Sequence, residues 1–310
     1  MAFIKNVVSL FSPAASTDPF PDSVPFTDTD PCAACADPCT AHPQLPAYLA
    51  KKIEKGPLVG TAGKPYKRHI MVVEGSGRSW PERLENTDGT SGITPIIGEL
   101  AAQVGERVGY RTIVTAAESF GSENSNSSSS SSSTTATSAA PRDGTHTQLM
   151  LFPDLLRIPN VTAQTAAELV PALLEHGTVP PTFAPTAMRG KAWIFVCTHK
   201  KRDKRCGVAG PMLVDEFRKA VAQMKLEGEV EVYGCSHFGG HKFAGNIIIY
   251  HRNPAVDGNW YGRVKTCHVR PILETTINEG KVFKELWRGA MQRDDAIADQ
   301  NRAKVLAGDW

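Results

Sequence analysis

AWIFVCTHKKRDKRCG, residues 192–207, decides how the chain folds. Trp193, Ile194, Phe195 and Val196 are bulky or β-branched, so AWIFVC reads as a strand that closes on Cys197. A basic, polar loop follows, and Cys206 comes after eight residues. Beyond it, Pro211 to Met224 carries apolar residues at helical spacing, and Glu229–Tyr233, Asn246–His251 and Trp260–Lys265 read as strands. Residues 268–278 and 282–291 read as closing helices.

The order strand, loop, helix, strand, hairpin, helix is the thioredoxin-like arrangement, in which a functional loop leaves the end of the first strand. The expected class is therefore α/β, with a thioredoxin-like domain over residues 185–295 and a tail over 296–310. Upstream, VPPTFAPTAMRG, starting at Val179, is a natural boundary, because each proline removes a backbone donor and disfavours helix before it. Residues 46–178 then form a smaller α/β unit, with strands at 69–73, 111–115 and 147–158 and helices at 93–108 and 162–176. This unit is interrupted over residues 121–147 by a stretch containing seven consecutive serines, which lacks the apolar surface to fold and reads as a disordered insertion. Residues 1–45, rich in Pro, Ser, Thr and Asp, read as a flexible, cysteine-containing arm.

The 310 residues carry 34 Lys and Arg against 32 Asp and Glu, a net charge of +2 that by itself argues for neither nucleic acid nor membrane attraction, and nucleic acid is not the expected partner. No apolar run is long enough for a membrane span, and the opening MAFIKNVVSLFSPAAS lacks both a long apolar core and the arginines of a presequence. A cytoplasmic location is expected, with mitochondria as the alternative. The 7 cysteines fall into two groups, and near histidines they suggest metal or redox chemistry more than disulfides.

His237 and His241 lie in GCSHFGGHKFAGN, between two strands, so they reach the same sheet edge as Cys197 and Cys206. Two Cys and two His could close a zinc site, or be buried cysteines beside ordinary loop histidines. Zinc knuckles use Cys pairs two to four residues apart, whereas an eight-residue loop wraps a larger object such as a two-iron cluster. Gly239 and Gly240 let the backbone turn tightly between the histidines. Cys235 and His199 are substitute ligands, each in a Cys-x-His pair.

FVCTHKKRDKRCG, SHFGGHKFAGN and IIIYHRNP followed by WYGRV together resemble the sucrase/ferredoxin-like family over roughly residues 190–275. The resemblance implies a thioredoxin-like [2Fe-2S] ferredoxin domain whose cluster is held by Cys197, Cys206, His237 and His241. The Asp309-Trp310 end is similar to the C-terminal signal read by the cytosolic iron-sulfur targeting machinery.

Around the ligands, Arg202 and Arg205 belong to a basic loop that would be simply solvated, tune a cluster, or dock an acidic redox partner; Asp203 is available to pair with either. Lys242 and Asn246, with Gly239 and Gly240, are candidates to support the histidine loop. Cys32, Cys35 and Cys39, near His42, read as an inert arm, a thiol-disulfide pair or a second metal site. GSGRSW, residues 75–80, lacks the third glycine of a dinucleotide fingerprint. The expected function is a [2Fe-2S] electron carrier or redox sensor with no substrate chemistry. A thiol-disulfide oxidoreductase acting through the N-terminal cysteines and a zinc-stabilised binding module are the rivals.

Overall fold

The structure is a computed structural model that describes residues 19–33, 35, 39–86, 92–118, 146–294 and 303. The strand read first, β7 (Ala192–Cys197), is buried at every position, as a strand covered on both faces must be. It pairs in parallel with β8 (Val230–Cys235) and antiparallel with β9 (Ile247–His251), on which β10 (Asn259–Tyr261) lies antiparallel. Helix α4 (Lys204–Gln223) makes the crossover from β7 to β8. Helix α5 (Val269–Pro271) runs on as a π-helical turn, Ile272–Asn278. Leu213, Phe217 and Val221 of α4 share one core with Ile194, Val196 and Ile249 of the sheet and with Ile272, Leu273 and Ile277. The strand order β8-β7-β9-β10 is thioredoxin-like.

The first half repeats this pattern. Strand β2 (Arg68–Val73), helix α2 (Thr94–Val108), β3 (Thr112–Ala117), β4 (Thr147–Phe152), β5 (Leu156–Val161) and helix α3 (Ala163–His176) give the order β3-β2-β4-β5. Again the first pair is parallel and the others antiparallel. Strands β3 and β8 join antiparallel at Ala117 and Cys235. The two units read from the sequence thus share one 10-stranded sheet, with β6 (Thr186–Ala187) at one edge and β12 (Trp287–Ala290) at the other.

Several boundaries differ from the sequence reading. Helix α4 begins at Lys204, not Pro211, because Asp203 caps it by accepting from the Arg205 backbone N–H; Pro211 lies inside it. Residues 282–291 are not a helix. Val282–Phe283 forms β11, which pairs with β1 (Phe26–Thr27), and β12 pairs with β10. The run 147–158 splits into a hairpin at Pro153, and the strand expected at 260–265 is only the short β10.

Composition also missed the packing of the N-terminal segment. Phe20, tilted, and Phe26, edge-on, pack against Trp287 with ring centroids 5.6 and 5.0 Å away, so residues 19–33 lie against the second half before the one-turn α1 (Ala47–Ala50). The serine-rich stretch 121–145 and the Asp309-Trp310 end lie outside the described residues. Among the described residues, no helix is long and apolar enough to cross a membrane.

Candidate metal centre

Cys197 ends β7, and Cys206 sits in the first turn of α4, so strand end and helix start present two sulfurs from one connection. The helix can come this close because residue 210 is glycine: a Cβ there would stand 2.2 Å from the Cys197 carbonyl oxygen. Asp203 fixes the entry to α4. Its carboxylate accepts from the Arg205 backbone N–H at 2.8 Å and from the Arg205 guanidinium at 3.0 and 2.8 Å. Burial pushes the Asp203 carboxyl up, but these bonds outweigh it and hold the group below its ordinary range.

His237 leaves the end of β8, and its ligand-competent nitrogen gathers with the Cys197 and Cys206 sulfurs so that all three atoms lie within 4.8 Å of one another. His237 Nδ1 is 3.8 Å from Cys197 Sγ. The His241 ring follows at 5.3 Å between centroids, on the exposed side. Burial first, then the neighbouring His241 and Arg202, push the His237 imidazole down to about 4, so it is neutral near pH 7, the form that ligates a metal. The Cys206 thiol is held well above its usual range by its hydrogen bond with Cys197 and by burial, so the two sulfurs need a cation to ionise together.

The histidine loop is shaped by a residue that the sequence reading did not single out. Arg288, on β12, is fully buried, and its guanidinium donates to the Asn246 side-chain oxygen at 2.9 Å, to the Gly239 carbonyl at 3.3 Å and to the Thr61 hydroxyl at 3.1 Å. Gly240 has φ +73°, and a Cβ on it would fall 2.1 Å from Arg288 Nη2, so only glycine fits between the two histidines there. Asn246 donates to the Gly240 carbonyl at 2.9 Å, and its own carbonyl accepts from the Cys197 N–H at 3.0 Å, which links both ligand loops. No carboxylate pairs with Arg288 among the described residues. Burial lowers its pKa to about 10, while the Cys197 and Cys206 sulfurs act in the opposite direction. A buried cation whose hydrogen-bond acceptors are all neutral fits a site built for a group with anionic ligands.

The other candidates are placed differently. Arg202 is half-buried and lines a cleft of about 620 Å³ with His199, His237, Arg111 and Glu85. Lys242 is exposed and forms an ion pair with Glu54 at 3.0 Å. His199 uses both ring nitrogens, donating to the Pro81 carbonyl at 2.7 Å and accepting from the His237 backbone N–H at 3.3 Å. It orients the loop and has no nitrogen left to ligate. Cys235 is fully buried at the end of β8, paired with Ala117 of β3, and lies outside the converging group.

The first half braces the cysteine loop. The Gly77 carbonyl accepts from the Lys200 N–H at 2.9 Å, and the Glu118 carboxylate accepts from the Thr198 hydroxyl at 2.8 Å and the Gly77 N–H at 3.0 Å. GSGRSW therefore forms a turn that leans on the site. At the equivalent place in the first half, after β2, the Glu74 carboxylate caps α2 through the Ile93 and Thr94 N–H groups, both at 3.1 Å, and no cysteine is present.

A Clavispora lusitaniae protein, altered inheritance of mitochondria protein 32, is 33% identical over 171 residues, 47% of this chain and 59% of that protein. The Saccharomyces cerevisiae actin patches distal protein 1 is 35% identical over 153 residues, 43% of this chain and 48% of that protein. The matches thus span less than two thirds of these relatives' own lengths. Among solved structures, a thioredoxin-like [2Fe-2S] ferredoxin from Aquifex aeolicus aligns at 18% identity and TM-score 0.29, covering 33% of this chain and 94% of that one. The sucrase/ferredoxin-like family model matches residues 58–289, three quarters of the chain. The chain belongs to the sucrase/ferredoxin-like family.

Proposed function

We propose that this chain is a one-electron redox protein holding a [2Fe-2S] cluster through Cys197, Cys206, His237 and His241. The observation that carries this reading is the convergence of two sulfurs and an imidazole within 4.8 Å, with a second imidazole beside them. When bound, the cluster supplies one-electron transfer, and replacing two thiolates by neutral imidazoles makes it less negative and easier to reduce. The protein's part is to hold the ligands. Asp203 and Arg205 fix the Cys206 turn, Asn246 and Arg288 fix the histidine loop, and His199 orients His237. The exposed His241 marks the side from which an electron would enter.

The cations Lys200, Lys201, Arg202 and Lys204 on the cysteine connection suit an acidic redox partner. Delivery by the cytosolic iron-sulfur targeting machinery through Asp309 and Trp310, and a cytoplasmic location, complete the proposal.

Anaerobic reconstitution of the full chain with iron and sulfide tests it. Two irons and two sulfides per chain, visible absorption and a reduced-state EPR signal are expected, with His237→Cys and His241→Cys each retaining a spectrally altered cluster. One zinc per chain with no sulfide would instead establish the zinc-stabilised module.

A further inference from the structure

A second set of sulfur and imidazole groups lies where the N-terminal segment crosses the 3-10 turn Thr266–His268. Cys32 Sγ is 3.4 Å from Cys267 Sγ and 3.2 Å from His268 Nε2, although Cys32 and Cys267 are 235 residues apart in sequence. Cys32 is half-buried, while Cys267 and His268 are buried. The Cys and His content suggests a metal site, but the imidazole's hydrogen bonds point elsewhere.

Burial pushes His268 down to about 4, so the ring is neutral and carries one proton. The Lys265 backbone N–H donates to its Nδ1 at 3.3 Å, which places that proton on Nε2. Nε2 therefore faces Cys32 as a donor and has no lone pair for a metal.

We infer that Cys32 and Cys267 are a reversible dithiol-disulfide pair, oxidised by low-molecular-weight disulfides of the glutathione class, with His268 Nε2–H positioned to stabilise charge on Cys32 Sγ. The order of steps follows from exposure. Cys32, reachable from solvent, loses its thiol proton and attacks one sulfur of the small disulfide. The other sulfur leaves as a thiolate and takes up a proton. Cys267 then attacks Cys32 Sγ from inside, its proton passing to the second departing thiolate. In total, two protein thiols are oxidised, one disulfide is reduced to two thiols, and excess thiol reverses the exchange.

The bond would staple residues 19–46 to the second half. This segment is also held there by the two-residue β1–β11 pairing, the Phe20 and Phe26 contacts with Trp287, the Asp28–Lys284 ion pair at 3.1 Å and a hydrogen bond from the Thr266 hydroxyl to the Pro43 carbonyl at 2.7 Å. This pair is independent of the cluster assignment.

The test equilibrates the full chain with oxidised and reduced glutathione at graded ratios, quenches it with acid, alkylates it and maps peptides without reduction. A Cys32–Cys267 cross-link that rises with oxidised glutathione and is lost in dithiothreitol is expected. Cys267→Ser should stop the exchange at a glutathione adduct on Cys32, and His268→Asn should slow modification of Cys32 roughly tenfold, the worth of a hydrogen bond to a charged group. Three results would overturn the inference: Cys32 paired with Cys35 or Cys39, Cys32 and Cys267 both alkylated at every ratio, or one bound zinc released by Cys32→Ser. The wild-type map decides the first two whether or not any variant folds, and zinc release is read on the folded fraction of Cys32→Ser.

Discussion

Arg288 condenses the electrostatics of the site into one side chain. A guanidinium removed from water loses its hydration, and here its hydrogen-bond acceptors are neutral oxygens of Asn246, Gly239 and Thr61. The guanidinium also lies over the Phe243 and Trp260 rings, at 5.8 and 5.5 Å, and the cluster proposed for Cys197 and Cys206 would supply compensating negative charge. A fixed positive charge favours the more negative, reduced state of that group, because reduction adds an electron within its field. In the reconstituted protein, Arg288→Gln should therefore move the midpoint potential to more negative values, with Arg288→Lys falling between the variant and wild type. Visible redox titration checks this, and an unchanged potential in Arg288→Gln would reduce Arg288 to a packing role. The neighbouring Gly240→Ala has a different expected outcome. Its Cβ would collide with the guanidinium, so iron content should fall while the far-ultraviolet circular dichroism stays that of the folded chain.

At the scale of elements, α4 is the part whose placement sets the sulfur spacing, and Asp203 is its N-cap. Asp203→Ala removes the cap and the Arg205 pair together and should lower stability by about 1 kcal/mol, seen as a lower urea midpoint at unchanged slope. Asp203→Ser, which can still cap, should recover most of that loss. How far the elements could be read beforehand depended on whether their signals were local. AWIFVC, the α2 and α3 periodicities and the approach of Cys197, Cys206 and His237 to one sheet edge were legible because each rests on a short local pattern. Pro211 masked the true start of α4, since proline usually opens a helix and here sits within one. Residues 282–291 have no strand signature that survives alone; partners 26 to 256 residues away in sequence, in β1 and β10, make strands of 282–283 and 287–290. Arg288 was hidden for the same reason, because its meaning lies in contacts with residues 61, 239 and 246. The repeat of the first half was not visible either, since Glu74 stands where the second half has its cysteine connection.

For the whole molecule, acid is the expected weak point. Buried His69 is pushed down to about 3 and buried His268 to about 4, against roughly 6.5 for an unfolded histidine. As pH falls below about 6.5 the unfolded chain gains these protons and the folded one does not, so stability falls until about 4, where His268 also protonates in the fold. Buried Asp257, raised to about 6, acts with the opposite sign, because the folded state takes its proton first; it offsets part of the loss only below pH 6. Thermal midpoints should thus decline from pH 6.5 to 4, and His69→Gln should flatten that slope; a flat wild-type profile would contradict the assignment. The fusion of the two halves carries the last expectation. A fragment of residues 185–310 would uncover the β8 edge that β3 covers and would lose the acceptors that Gly77, Pro81 and Glu118 supply to Lys200, His199 and Thr198. The fragment keeps every proposed ligand, so ligand count alone predicts full iron loading. Bracing from the first half predicts instead that iron per folded chain drops well below that of the full chain, with Glu118→Ala in the full chain intermediate. Measuring iron on the monomeric fraction after gel filtration separates the two outcomes, because aggregation through the bare β8 edge is removed before the count.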